Sequence, residues 1–272
     1  MSADEVGAGT SLRTSYDGRV ARITLDRPEA INAISLEMAL ALKQAIEHAS
    51  THADAVIVGA SGDHFCAGAD LKNLDDLGGD ADAMRDVIGA ISRAFAAAER
   101  APIPVIAAIR GYALAGGFEF MQACDLVVVA EDAVIGDQHA NFGLVPGGGG
   151  SQRLPRLCGR QRALGLLLTG DRISGVRAVE MGLAYKAVPA AEVDAEADAL
   201  ARRLAAKSRA GLSVIKSLVS RGALVTLDVA LEMEITANVA HASHPDFHEG
   251  MSAFRERRAP DFGTPPDDVA GG

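Results

Sequence analysis

A pair of glycines followed closely by a glutamate is the part of this sequence with the clearest chemical potential. Gly116 and Gly117 lead into Glu119 after an apolar, strand-like run. Glycine lets the backbone approach a ligand closely, and the first N–H groups of a helix have no intrahelical acceptor. Such donors would stabilise a carbonyl oxygen that gains negative charge, beside which Glu119 could move a proton. A helix start packed tightly beneath a sheet, with Glu119 only as an N-terminal charge, fits the same residues.

A second candidate region is the irregular segment from Gly136 to Gly150, which contains His139 and four consecutive glycines. Ordered irregular backbone of this kind often lines a site. Histidine can act in acid-base catalysis because its unperturbed pKa is about 6.5, but His139 could equally be a neutral pocket residue. Asp137 lies two residues away, and we expect it to point elsewhere unless the backbone there is irregular.

Composition limits the class of protein. The 272 residues are 49% apolar, which is enough for a sizeable core. The three cysteines, Cys66, Cys124 and Cys158, show no metal-ligand spacing, so we expect no metal site and a reducing, cytoplasmic location. A net charge of −10 argues against nucleic acid as a partner. No apolar run approaches the roughly 18 residues of a membrane helix, so we expect no membrane partner.

Strand and helix patterns alternate up to about residue 190, and helical patterns alone follow, which predicts an α/β fold with a helical tail. The predicted strands are 19–25, 55–58, 104–109, 126–130, 133–135 and 183–188. One predicted helix begins after Ser35 and another at Asp82. Further helices are predicted over 152–169, 192–207, 212–220 and 227–242, and a final helix ends at Arg258. Asp246 and Glu249 have the spacing of a capping box for the last of these helices.

Several segments, taken together and in order, resemble the enoyl-CoA hydratase/isomerase (crotonase) family over about residues 15–262. These segments are Ala30-Ile-Asn-Ala33, Phe65-Cys-Ala-Gly-Ala-Asp-Leu71, Gly111-Tyr-Ala-Leu-Ala-Gly-Gly-Phe-Glu119, Cys124-Asp125, Gly143-Leu-Val-Pro-Gly147, Gln152-Arg-Leu154 and Glu249-Gly-Met-Ser-Ala-Phe254. The resemblance implies a crotonase-like spiral of ββα units over 11–190 and a helical trimerisation region over 191–262, with flexible tails at 1–10 and 263–272. It also implies a homotrimer or a dimer of trimers.

The resemblance further implies an acyl-CoA thioester substrate and no cofactor apart from the coenzyme A of that substrate. The family's two oxyanion donors fall on the N–H groups of Ala69 and Gly116, and its first catalytic carboxylate falls on Glu119. Hydratases of the family carry a second glutamate four residues before Gly143, where this chain has His139.

Three functions therefore stay open. Glu119 and His139 could divide the work of hydration, as in an enoyl-CoA hydratase, which family frequency favours. Glu119 alone could shuttle a proton between the α and γ carbons, as in a Δ3,Δ2-enoyl-CoA isomerase. The chain could also bind CoA thioesters without turnover. Fatty-acid metabolism is the default setting for the family.

Further positions match segments that contact the substrate in the family. These are Ala67, Gly68, Asp70, Leu71, Lys72, Gly147, Phe254 and Arg257. Lys72 is a phosphate contact for CoA or, equally, a solvated lysine at a helix start. Phe254 and Arg257 match positions that reach the CoA of a neighbouring subunit, and the Gly147 N–H could hold water or substrate.

Overall fold

A computed structural model describes residues 11–263, which form two compact units, residues 11–202 and residues 203–263. The predicted division of the chain at 190/191 remains a prediction. The predicted tails, 1–10 and 263–272, lie outside the described residues apart from Gly263.

A six-stranded sheet in the order β1-β2-β3-β4-β6-β8 forms the centre of the first unit. Its strands are β1 (Leu12–Asp17), β2 (Val20–Leu25), β3 (Ala55–Ala60), β4 (Val105–Ile109), β6 (Leu126–Ala130) and β8 (Lys186–Val188). Only β1 runs antiparallel to its neighbour, and the other pairs are parallel. β3 and β4 are nearly continuous apolar runs and are almost wholly buried, as expected for central parallel strands.

A smaller sheet of two parallel strands determines where the candidate site lies. Its strands are β5 (Tyr112–Leu114) and β7 (Val134–Gly136). β5 leads through Ala115 into the helix that carries Glu119, and β7 leads into the turn that carries His139. Because parallel neighbours end at the same edge of a sheet, this pairing brings together two residues that are 20 positions apart in the sequence.

Helices cover the strands of the first unit. They are α1 (Leu36–His52), α2 (Leu71–Asp75), α3 (Ala81–Arg100), α4 (Gly116–Ala123), α5 (Gly150–Cys158), α6 (Arg160–Thr169), α7 (Gly175–Glu180) and α8 (Val193–Ala205), the last of which continues into the second unit. Ser35 caps α1 by accepting the Met38 N–H, as the sequence predicts. One face of α3 is buried, including Val87, Ile91 and Phe95.

Two sequence-based predictions in this unit are wrong. The helix predicted over 152–169 is two helices, because Gly159 takes a φ of 80° between α5 and α6, outside the helical region. The sequence predicts no strand before Arg19, yet β1 pairs along its whole length with β2. Its apolar residues are too few to give a clear alternation, so the pairing with β2 decides its structure.

The second unit contains α9 (Arg209–Gly222), α10 (Leu227–His241) and α11 (Pro245–Glu256). The predicted capping box for α11 is wrong, because His244 caps the helix by accepting the Asp246 N–H at Nδ1. The Asp246 carboxylate accepts a hydrogen bond from Ser208 instead. A groove of about 590 Å³ between α9 and α10 is lined by Val214, Leu218, Val229 and Met233.

Candidate active site

Glu119 is a buried carboxylate that caps a helix other than its own. Glu119 is only 2% exposed, and its Oε1 accepts a hydrogen bond from the Gly150 N–H at 2.8 Å. Gly150 is the first residue of α5, and the residue before it, Gly149, has no side chain to cap that helix. Glu119 therefore supplies the acceptor that the α5 N-terminus needs, and we expect this contact to contribute to stability as a cap does.

The backbones of Ala69 and Gly116 face each other across a narrow gap. A Cβ built on Gly116 would lie 3.3 Å from the Ala69 nitrogen and 3.2 Å from the Gly68 Cα. Ala69 is bridged to Ile34 through the neighbouring peptide groups, so its own N–H points away from Ile34. The Gly116 N–H has no intrahelical acceptor because Gly116 is the first residue of α4. The two predicted oxyanion donors therefore lie on adjacent backbone segments, and their role stays a prediction.

Backbone strain lies directly beside this pair of donors. Ala115 has φ 46° and ψ −115°, a conformation that glycine adopts far more readily than alanine. Gly68, which has φ 116°, lies opposite it, and a Cβ there would be 2.9 Å from the Ala115 Cβ. Strained backbone of this kind persists only where surrounding contacts enforce it, and it is common at functional sites.

His139 lies between two carboxylates. Its Nδ1 is 2.9 Å from Asp137 Oδ1, and its Nε2 is 4.0 Å from Glu119 Oε2. Asp137 Oδ1 also accepts the His139 backbone N–H at 3.1 Å, which is the Asx-turn pattern. The turn begins a short 3-10 helix, His139–Phe142, and brings Asp137 and His139 to the same side of the chain.

The two candidate acid-base groups both have raised pKa values. Burial raises the pKa of Glu119 above its ordinary value, and the Gly150 N–H and His139 oppose that effect only in part. Burial on its own lowers the pKa of His139, but the hydrogen bond and charge of Asp137, together with the charge of Glu119, outweigh it. The pKa of His139 therefore lies above its ordinary value, so the imidazole holds its proton more tightly than a free histidine.

The wall around Glu119 is apolar and closely packed. A Cβ on Gly148 would lie 2.5 Å from the Phe95 ring and 2.9 Å from Glu119 Oε2. A Cβ on Gly147 would lie 2.7 Å from Ile88 Cγ2. Glycines at these positions allow the loop to pack against α3, which brings an apolar surface next to the carboxylate and accounts for its burial.

The other predicted site residues lie in different surroundings. Asp70 caps α2 and forms an ion pair with Arg27 at 3.0 Å, whereas Leu71 and Lys72 are exposed. Ala67 and Gly68 lead directly to Ala69. Within the second unit, Phe254 is 81% exposed near the end of α11, and Arg257 is exposed just beyond it. The roles of these residues in binding CoA stay predictions.

Sequence reasoning missed two groups at the site, Asp137 and the Gly150 N–H. The expectation that Asp137 points elsewhere is wrong, because Asp137 Oδ1 contacts His139 Nδ1. Residues two apart share a face even in a strand, and this strand ends at Gly136. An aspartate directly after a strand end and two residues before the candidate is a sequence signal for the Asx turn. No sequence signal points to Gly150, because its contact with Glu119 spans 31 residues.

Two kinds of feature are absent from residues 11–263. No group of three or more His, Cys, Asp or Glu side chains is placed to hold a metal ion. No helix in that range has the length and apolar character needed to cross a membrane.

Comparisons with known proteins agree on one family. The family model described as enoyl-CoA hydratase/isomerase matches residues 15–265. YngF of Bacillus subtilis, a relative named for that family, is 36% identical over 250 residues, 91% of this chain and 95% of YngF. A crystal structure of an enoyl-CoA hydratase from Bacillus anthracis matches with a TM-score of 0.88 and 34% identity, covering 93% of this chain and 99% of that one. A crystal structure of an enoyl-CoA hydratase from Mycobacterium smegmatis matches with a TM-score of 0.87 and 32% identity, covering 93% of this chain and 99% of that one.

Proposed function

The chain belongs to the enoyl-CoA hydratase/isomerase family and has its crotonase fold, and on that premise we propose that it adds water across the double bond of a 2-enoyl-CoA thioester. Water oxygen bonds to C3, and C2 gains a proton. The observation that supports this most strongly is the pairing of two acid-base side chains, the buried Glu119 and the half-buried His139, whose Oε2 and Nε2 atoms lie 4.0 Å apart.

The Ala69 and Gly116 N–H groups bind the thioester oxygen in this proposal. As water adds at C3, electron density moves through the double bond onto that oxygen, and an enolate forms. Donors already fixed by the backbone stabilise the developing charge without reorganising. Loss of one such donor typically costs about 3 to 4 kcal/mol of activation free energy.

Glu119 and His139 divide the proton transfers. Ionised Glu119 accepts a proton from water, and protonated His139 delivers one to C2. The 4.0 Å between Glu119 Oε2 and His139 Nε2 is too long for a direct hydrogen bond. It leaves space for one oxygen atom that contacts both groups. A raised His139 pKa suits a proton donor near neutral pH.

Isomerisation of a 3-enoyl-CoA is the second candidate, and the residue at position 139 is the observation that favours it. The position where family hydratases have a second glutamate holds a histidine here. If that histidine takes no part, Glu119 alone could remove a proton from C2 and return it to C4. The same oxyanion donors would stabilise the dienolate formed between these steps.

Turnover of two substrates distinguishes the candidates. Purified protein is mixed with crotonyl-CoA and, separately, with a 3-enoyl-CoA, and the absorbance of the conjugated thioester is followed. Hydration removes this absorbance from the first substrate, whereas isomerisation creates it from the second. No change with either, together with measurable binding of CoA esters, would indicate a binding protein and reject both enzymatic proposals.

Variants of position 139 assign the second role. We expect His139→Ala to reduce hydration of crotonyl-CoA by about 10²- to 10⁴-fold, which is the usual effect of losing a general acid or base. Isomerisation by Glu119 alone would be unaffected by the same change. His139→Gln keeps a polar side chain of similar size and serves as the matched control for lost volume.

Substrate binding and assembly complete the proposal. We propose that Lys72, exposed on α2, contacts a phosphate of CoA, and that no cofactor is needed besides the substrate's own CoA.

We further propose a cytoplasmic homotrimer or dimer of trimers. Exposed apolar residues on α9 and α10, among them Ile215, Val219, Ile235 and Val239, support self-association. Light scattering should then give three or six times the chain mass of 28.1 kDa.

A further inference from the structure

We propose that Asp137 is a positioning residue for His139, which fixes the orientation of the ring and keeps it cationic, so that Nε2 presents a proton toward Glu119. This inference rests on the proposed function, in which His139 acts on the substrate. Asp137 itself touches neither the substrate nor the backbone donors in this proposal. It acts entirely through the imidazole.

The contacts of Asp137 are the first step of the argument. The residue is fully buried, with 0% of its surface exposed. Oδ1 receives both the ring Nδ1 and the backbone N–H of His139, at 2.9 and 3.1 Å. A carboxylate can only accept hydrogen bonds, so Nδ1 must carry the hydrogen. The remaining ring nitrogen, Nε2, then faces Glu119 Oε2.

The charge balance of the pocket is the second step. Within residues 11–263, no Lys or Arg forms an ion pair with Asp137, and its Oδ2 is buried without a hydrogen-bond partner. A buried carboxylate is costly unless a positive charge compensates it. The cation that can do so is the His139 imidazolium. The charged side chains acting on this ring are Asp137 and Glu119, and both stabilise its protonated form.

Glu119 and Asp137 are also held close to one another. A Cβ at Gly150 would lie 3.2 Å from Glu119 Oε1 and 3.5 Å from Asp137 Oδ2. Two negative carboxylates on opposite sides of one imidazole repel each other, and a positive imidazolium between them offsets that repulsion. The ring is therefore the compensating charge for both carboxylates, and Asp137 determines which nitrogen faces the reaction.

A purely structural role is the competing explanation, since an Asx turn would need only the backbone contact. Asp137→Asn separates the two explanations. The asparagine oxygen can still accept both His139 N–H groups, so the turn is retained while the negative charge is lost. If the role is structural only, the protonation of His139 should not change.

The test is a titration of His139 in the full-length protein by NMR of ring-labelled histidine. The chain has seven histidines, and the signal that disappears in His139→Gln identifies His139. In the unchanged protein we expect the His139 pKa to lie above about 6.5 and Nδ1 to carry the hydrogen. In Asp137→Asn we expect the pKa to fall by about 1 to 3.

Kinetics of the same variants link this titration to catalysis. At a fixed pH above the pKa of His139, each decrease of 1 in that pKa lowers the protonated fraction of the ring about tenfold. At a pH above the His139 pKa of both proteins we therefore expect kcat on crotonyl-CoA to fall about tenfold for each step of 1 in the pKa, KM to change little, and the limb of the pH profile to move with the NMR titration.

Asp54→Asn is the matched control. Asp54 is also buried, at 2% exposed, but it forms an ion pair with Arg19 on the sheet. Removing its charge should affect stability and leave the His139 titration in place. An unchanged His139 pKa in Asp137→Asn would overturn the inference. If that variant does not fold, a titration of the unchanged protein below about 6.5, or a hydrogen on Nε2 alone, would overturn it equally.

The inference and the proposed function can fail separately. If neither CoA ester is turned over, the proposed function is wrong, and the His139 titration still decides whether Asp137 controls the ring. If crotonyl-CoA is hydrated and the His139 pKa is unchanged in Asp137→Asn, the proposed function stands and the inference about Asp137 is rejected.

Discussion

Gly116→Ala places a single methyl group at the proposed oxyanion hole and changes little else. Gly116 is not among the residues with positive φ, so alanine can adopt its backbone conformation. The new Cβ would lie 3.3 Å from the Ala69 nitrogen and 3.2 Å from the Gly68 Cα. A thioester oxygen must approach within about 3 Å of both N–H groups, and the methyl group beside them obstructs this approach.

The expected loss follows from the donors that become inaccessible. Losing the use of one oxyanion donor reduces kcat by about 10²- to 10³-fold, so we expect at least a hundredfold fall in kcat/KM. The fold should tolerate the change. Contacts of 3.2 to 3.3 Å require neighbours to shift by only a few tenths of an ångström.

Two measurements on Gly116→Ala separate these effects, namely turnover of crotonyl-CoA and the midpoint of thermal unfolding. Gly165→Ala is the matched control, because Gly165 lies within α6 and a Cβ there meets no atom within 4 Å. The control should keep full activity and be slightly more stable. If Gly116→Ala retains kcat/KM within about threefold of the unchanged protein, Ala69 and Gly116 are not the oxyanion donors.

Three further predictions concern Glu119, Ala115 and α10. Glu119→Gln should lower kcat by about 10²- to 10⁴-fold, and activity near the original level would refute its role. The raised pKa of Glu119 means that this side chain stabilises the folded protein fully below about pH 4.5 and loses that contribution as pH rises through its folded-state pKa. Denaturation at several pH values should therefore show Glu119→Gln gaining stability relative to the original protein as pH rises. Ala115→Gly should raise the unfolding free energy by about 1 kcal/mol by relieving strain, and a lower thermal midpoint would contradict this. Ile235→Asp should reduce the mass measured by light scattering, whereas an unchanged mass would exclude this face from assembly.

Local signals explain most of the fold that the sequence predicts. Ser35 caps α1, and an apolar stripe marks α3, because both depend on residues within a few positions of each other. β1 and the break at Gly159 were not predictable in the same way. β1 depends on pairing with β2. Glycine disfavours helix, but Gly165 lies within α6 all the same, so the presence of a glycine does not by itself locate the break at Gly159.

The candidate site shows the same division between local and distant information. The resemblance identifies Ala69, Gly116 and Glu119 as candidates, and the structure brings these three residues into one region, while their roles remain predictions. The contact of Asp137 with His139 could be found in the sequence, because residues two apart share one face of a strand and an aspartate after a strand end favours an Asx turn. The contact of Gly150 with Glu119 comes from the packing of α5 against α4, which no local pattern encodes.

The run of four glycines gives Glu119 two opposing influences at once. Gly147 and Gly148 let the loop pack against Ile88 and Phe95, so the carboxylate is surrounded by apolar groups and its charge is disfavoured. Gly150 directs the first N–H of α5 at the same carboxylate, which favours the charge. Burial prevails, and the pKa of Glu119 is raised. A side chain at Gly147, Gly148 or Gly150 would disturb this balance, so these glycines tune the proposed acid-base group as well as making room for it.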